Sequence, residues 1–117
     1  MNYYTALASN MSYHLKSKRR GANGDPKEVL KVISEYTGVA EEKIIGRGKK
    51  ANIPYARHLA MYMIRRKTNL SYKEIGKLFD QCHHTSVIYG VEKIENLADV
   101  YDEVRNDILN LSEKFLN

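Results

Sequence analysis

Residues 71–96, SYKEIGKLFDQCHHTSVIYGVEKIEN, decide how the rest of the chain is read. The stretch opens on Ser71-Tyr72-Lys73-Glu74, a capping box in which the Ser and Glu side chains each satisfy the other's backbone N–H at a helix start. Ile75, Leu78 and Phe79 give that short helix its inner face, and Asp80-Gln81-Cys82 turns the chain. A second helix starts near His83 or His84, with Val87, Val91 and Ile94 at inward spacing. Two helices joined by so short a turn make a helix-turn-helix, whose second helix can enter the major groove of DNA. That groove is about 12 Å wide, so it admits one helix and only the leading residues reach base edges. Here those residues are His83, His84, Thr85 and Ser86. Thr can touch a thymine methyl and donate a hydrogen bond, His offers a donor to guanine or phosphate, and a polar helix start welcomes a phosphate.

Outside this stretch the chain also reads as helical. Residues 3–15 predict a first helix, and Lys16-Ser17-Lys18-Arg19-Arg20-Gly21-Ala22-Asn23-Gly24 is a basic linker; together, residues 1–24 precede a domain over residues 25–117. Asp25-Pro26-Lys27-Glu28 is a sharp helix start, with Asp as cap, Pro at the first helical position and Glu in the first turn. Val29, Val32, Ile33 and Tyr36 form its apolar stripe, which Gly38 closes. A short helix over about residues 40–45 leads into the flexible basic loop Gly46-Arg47-Gly48-Lys49-Lys50-Ala51-Asn52. Asn52 and Pro54 open a longer helix whose inner face is Ala56, Leu59, Ala60, Met63 and Ile64, broken at Thr68-Asn69. A last amphipathic helix over about residues 99–116 carries Val100, Val104, Ile108, Leu111 and Phe115.

The 117 residues suffice for one domain, and no apolar run approaches the ~18 residues of a membrane span. The Tyr-rich start lacks the basic and apolar regions of a signal peptide, and a single cysteine fits a reducing cytosol. The expected location is therefore the cytoplasm, in association with the nucleoid. Charge divides unevenly: residues 1–67 hold 14 Lys/Arg against 5 Asp/Glu, whereas residues 68–117 hold 5 against 9. A basic half joined to an acidic half suits a face for a polyanion, although an uneven solvated surface has the same composition.

Cys82, His83 and His84 suggest two other chemistries. A zinc site needs about four ligands; adjacent histidines point apart on a helix, and no distant Cys or paired His completes the set. A catalytic Cys–His pair needs facing side chains and a third group to orient the base. A small apolar Cys in a turn is the simpler reading, so neither a metal nor a cofactor is expected. Similarly, Arg65-Arg66-Lys67 at a helix end complements the negative end of the helix dipole. Tyr3, Tyr4 and Tyr13 are assigned to packing.

Residues 25–97 resemble the C-terminal DNA-binding domain (domain IV) of the bacterial replication initiator DnaA. The resemblance lies in Ala56-Arg57-His58-Leu59-Ala60-Met61-Tyr62, Leu70-Ser71-Tyr72-Lys73-Glu74-Ile75-Gly76, Phe79, His84-Thr85-Ser86-Val87 and Lys93-Ile94-Glu95. It implies an all-α, Trp-repressor-like fold with a helix-turn-helix, here with flanking N- and C-terminal helices. It also implies a helix read into the major groove and a preceding basic loop reaching the adjacent minor groove of double-stranded DNA. On this basis Arg57 matches an arginine used against DNA and Lys49 stands at the position of a minor-groove arginine, with Lys50 beside it. His84 and Thr85 match base-reading positions, Ser86 keeps a threonine's hydroxyl, and Lys93 matches a lysine near the backbone. Family members usually read GGRDHTTV where this chain has Asp80-Gln81-Cys82-His83-His84-Thr85-Ser86-Val87, and Glu92 stands where a basic residue is common. A neutral His83 cannot accept from cytosine as an aspartate does, so the binding mode is expected to survive with a shifted sequence preference. The phosphate-cradling Gly-Lys-Ser/Thr loop of an ATPase is missing, since Gly48-Lys49-Lys50 and Gly76-Lys77-Leu78 do not qualify. The expected activity is thus DNA binding without ATP or catalysis. The alternative is a helical interaction module that binds a protein, or a second copy, through its N- or C-terminal helix.

Overall fold

The computed structural model describes residues 24–115. Among them are six helices and no strand: α1 Pro26–Thr37, α2 Glu41–Ile45, α3 Ile53–Lys67, α4 Tyr72–Leu78, α5 His84–Val100 and α6 Asp102–Lys114. The helix expected over residues 3–15, with Tyr3, Tyr4 and Tyr13, lies outside the described residues, as does the linker up to residue 23.

Local signals set most of the boundaries. The Asp25 carboxylate accepts from the Lys27 N–H at 3.0 Å, and Pro26 follows in the first turn. Gly38, with φ 78°, ends α1 and returns its N–H to the Ser34 carbonyl. The capping box forms as its residues predict: Ser71 N–H donates to Glu74 Oε1 at 2.8 Å, and Glu74 N–H to Ser71 Oγ at 3.1 Å. These bonds from Ser71 also hold the Glu74 carboxyl below its usual range.

Helix α3 is the axis of the domain. The sequence predicts one inner face, but α1, α2, α4 and α5 all pack on it, and residues 59–64 are buried without interruption. A helix enclosed on all sides needs apolar groups all round, and here Met61 and Tyr62 supply the additional faces. Arg65 and Arg66 are buried too, at 7% and 9% exposure. The Arg65 guanidinium lies 3.9 Å from the centre of the Tyr72 ring and donates to the Leu70 carbonyl. Arg65 thus joins α3 to the start of α4, and neither arginine presents an open basic surface.

Helix α5 runs longer than expected and α6 starts later. Val100, assigned above to the inner face of the last helix, is 69% exposed. The break falls at Tyr101, whose backbone is extended. Arg105 secures this corner by donating to the Ala98 carbonyl and pairing with Asp102. Neither Gly nor Pro marks the break in the sequence. Val104, Ile108 and Leu111 do enter the core. Beside them the hydroxyls of Tyr36 and Tyr55 donate to the two oxygens of Asp107, at 2.7 and 2.6 Å. Burial, then the Asp107 carboxylate, pushes the Tyr55 phenol far up. The inner stripe of α6 is therefore part of the core, and only its outer face, with Leu109, is open to a partner.

Candidate nucleic-acid interface

The start of α5 is shaped by the turn before it. Asp80 and Gln81 both adopt left-handed backbone, at φ 57° and 56°, a conformation that costs a non-glycine residue roughly 1 kcal/mol. The chain then folds back on α4: Cys82 N–H donates to the Gly76 carbonyl at 3.0 Å and lies 3.2 Å from that of Phe79. The Cys82 carbonyl occupies the space that a Cβ on residue 76 would need. Glycine is required there by close approach alone. Nearly two turns into α5, Gly90 does the same for the crossing with α3, where a Cβ would come within 2.8 Å of Met61 Sδ and 2.9 Å of a His58 ring carbon.

His83 is the N-cap of α5. Its Nδ1 accepts from the Thr85 N–H at 3.2 Å and lies 2.8 Å from Thr85 Oγ1, while its carbonyl accepts from Ser86 N–H. An imidazole here does the work of a capping carboxylate or hydroxyl, in the tautomer that carries its proton on Nε2. The His84 ring lies against it, with centres 4.2 Å apart.

The basic loop is built by arginines. Arg57, half-buried on α3, donates from Nε to the Ile44 carbonyl, from Nη1 to Gly48 and from Nη2 to Lys43, at 2.8, 2.9 and 3.0 Å. These bonds satisfy carbonyls at the end of the short α2, which cannot do so themselves. Arg47, in the loop, donates from Nε to Asp80 Oδ2 at 2.8 Å and from Nη2 to the Asp80 carbonyl at 3.0 Å. It therefore joins the loop to the helix-turn-helix turn.

Between loop and helix lies an open groove of about 440 Å³. Arg47, Lys49 and Arg57 line it together with Thr85, Ser86 and Tyr89, and Gly46, His58, Met61, Phe79 and Cys82 complete it. Of the residues named from the sequence, Lys49, Arg57, Thr85 and Ser86 are thus brought together. Lys50, His83, His84 and Lys93 are exposed but do not line the groove. Lys93 follows Ser86 by two turns, on the same face of α5. Among the groove residues not named as DNA contacts are Arg47, Tyr89 and His58. Tyr89, 58% exposed, follows Thr85 by one turn, and its ring meets the His58 ring edge to face at 5.6 Å. The i, i+4 spacing from Thr85 was the available signal for Tyr89; His58 had none. Burial, and then Arg57 and Lys93, pull the His58 imidazole below its usual range.

Burial pushes the Cys82 thiol up against the opposing pull of Arg47 and Arg57. That is the reverse of the shift a nucleophilic thiolate requires. Among the described residues no group of three or more His, Cys, Asp or Glu could hold a metal ion, and no helix is long and apolar enough to cross a membrane.

A capped helix docked on α4 through a tight turn, with its first polar turn open to solvent, makes this a helix-turn-helix domain. Residues 26–94 match the family model of the bacterial dnaA protein helix-turn-helix, and the chain belongs to that family. It is 35% identical over 94 residues to the chromosomal replication initiator protein DnaA of Thermus thermophilus, covering 80% of this chain and 22% of that protein. Its identity to the DnaA of Roseiflexus castenholzii is 33% over 92 residues, covering 79% of this chain and 19% of the relative. With the DnaA of Herpetosiphon aurantiacus it is 32% over 98 residues, or 84% and 20%. The chain thus spans about a fifth of the length of the curated relatives it matches.

Proposed function

We propose that this domain binds double-stranded DNA with sequence preference, in replication initiation or its regulation. In this reading the first turn of α5 enters the major groove, where His84, Thr85 and Ser86 meet base edges. Lys49 reaches the neighbouring minor groove, Lys50 and Lys93 meet phosphates, and the Arg57-built loop fixes the register. The observation that carries it is the shared groove: Thr85 and Ser86 at the start of α5 face Lys49, in a loop that Arg47 and Arg57 hold in place. Small side chains with a methyl and a hydroxyl, beside a loop lysine, match what a duplex offers, base edges flanked by phosphates. The names of the relatives support the replication role.

The test is a binding titration on duplexes selected from a random pool, repeated across salt concentrations. Affinity is expected to fall steeply with salt as phosphate neutralisation releases counterions. No binding at low salt, or binding indifferent to salt, overturns the reading. Thr85→Ala is expected to remove about 1–3 kcal/mol of discrimination at one base position, while Lys93→Ala weakens all duplexes alike. A uniform loss for Thr85→Ala would contradict the assigned roles.

A further inference from the structure

We propose that Arg47 and Asp80 form a positioning clamp that fixes the basic loop to the helix-turn-helix turn, so that Lys49 and the start of α5 engage one duplex as a unit. The proposal rests on the DNA-binding reading above. Thirty-three residues separate the pair in sequence, yet Arg47 reaches Asp80 with two donors, one to the carboxylate and one to the backbone carbonyl. The clamp depends on both bonds being made at once, and the carboxylate supplies one of them. An exposed Coulombic contact contributes little by itself, but a guanidinium that grips side chain and main chain together defines an orientation. What it grips is a left-handed residue, which leads within four positions to the first residue of α5.

The other end of the loop is held independently. Gly48 gives its carbonyl to Arg57, and Lys50 gives its own to the Ile53 N–H at 3.0 Å. Lys49 therefore lies between anchored neighbours, and Arg47 ties them to the helix-turn-helix turn. The clamp also settles a charge conflict. A lone carboxylate beside Arg47, which lines the groove with Lys49 and Arg57, would repel a phosphate backbone. Paired with Arg47 it is neutralised, and its cation is withheld from phosphates. A loop held in its bound position gives up less entropy on binding. The two halves of the interface should then depend on each other.

The experiment is a thermodynamic cycle on the 117-residue chain. The unaltered protein, Asp80→Asn, Lys49→Ala and the double variant are titrated onto the preferred duplex and a scrambled one. Both residues are exposed, and thermal melts would confirm that each variant is folded. If the clamp positions Lys49, the loss caused by Lys49→Ala shrinks about threefold or more in the Asp80→Asn background. The preference for the selected duplex also narrows in Asp80→Asn, while its salt slope steepens by about one as Arg47 turns to a phosphate. Without DNA, amide exchange over residues 47–50 should quicken in Asp80→Asn. Additive losses, whatever the exchange rates, overturn the clamp and leave DNA binding standing; so does a Lys49→Ala variant that binds like the unaltered protein. If the unaltered protein binds no duplex at low salt, the DNA-binding reading falls, and the clamp's role falls with it.

Discussion

Gly76→Ala sets local propensity against tertiary geometry with opposite signs. Residue 76 lies inside α4, where replacing Gly by Ala ordinarily stabilises by about 1 kcal/mol. Against this, a Cβ at residue 76 would meet the Cys82 carbonyl group, which is backbone and cannot rotate away. Relief requires the turn to move, which strains the Cys82 N–H bond to the Gly76 carbonyl, a bond worth about 1 kcal/mol. Overpacking a close contact costs a further 1–3 kcal/mol or so. The net expectation is a loss of roughly 1–3 kcal/mol. For a domain of this size that lowers Tm by about 10 °C. Thermal melts followed by circular dichroism read it directly. Gly90→Ala is the internal control, since the obstructing atoms there belong to the Met61 and His58 side chains and have some freedom to give. If Gly76→Ala melts at or above the parent temperature, the account of the turn given above is wrong.

Asp107→Ala removes the acceptor shared by Tyr36 and Tyr55 and should cost about 2 kcal/mol in chemical denaturation, whereas Tyr36→Phe should cost about half as much; equal losses would contradict a shared acceptor. His58 predicts a pH dependence. Burial and the charges of Arg57 and Lys93 lower its folded pKa below the ordinary 6.5, so the unfolded chain binds the proton more readily. The stability it contributes is complete above pH 6.5 and declines as pH falls through that value toward the folded pKa. Denaturation midpoints from about pH 8 to about pH 5 should show this fall, flattened in His58→Gln; an unchanged slope would remove His58 as its cause.

Much of the fold was legible because its signals are local. A capping box needs only Ser71 and Glu74 three residues apart, and both bonds form. The inward positions Val87, Val91 and Ile94 follow from helical period, and all three are buried. What stayed hidden depends on distant partners. Met61 and Tyr62 are buried because other helices wrap α3, and the sequence of α3 does not record its neighbours. Val100 was misplaced because the corner at Tyr101 is fastened by Arg105, several residues further on. For the candidate site, the residues on α5 could be found from the cap outward. The link from Arg47 to Asp80 could not, because nothing in either local sequence refers to the other.

The residues that look most like DNA contacts divide into those that face solvent and those that shape what faces solvent. Arg57 has Nε and both terminal nitrogens on backbone carbonyls, so most of its donors go to building the loop. His83 has Nδ1 engaged with Thr85, which leaves Nε2–H as its polar group. The same contact occupies the Thr85 hydroxyl and leaves its methyl as the group suited to a thymine. Ser86 has no such partner in the turn, and its hydroxyl remains the more versatile reader. The departure from Asp to His at residue 83 therefore acts twice. It keeps the cap, and in the proposed binding mode it removes an acceptor that cytosine could use. In the proposed binding mode, the position of α5 rests on His83 Nδ1 and the base preference on the carboxylate that His83 lacks.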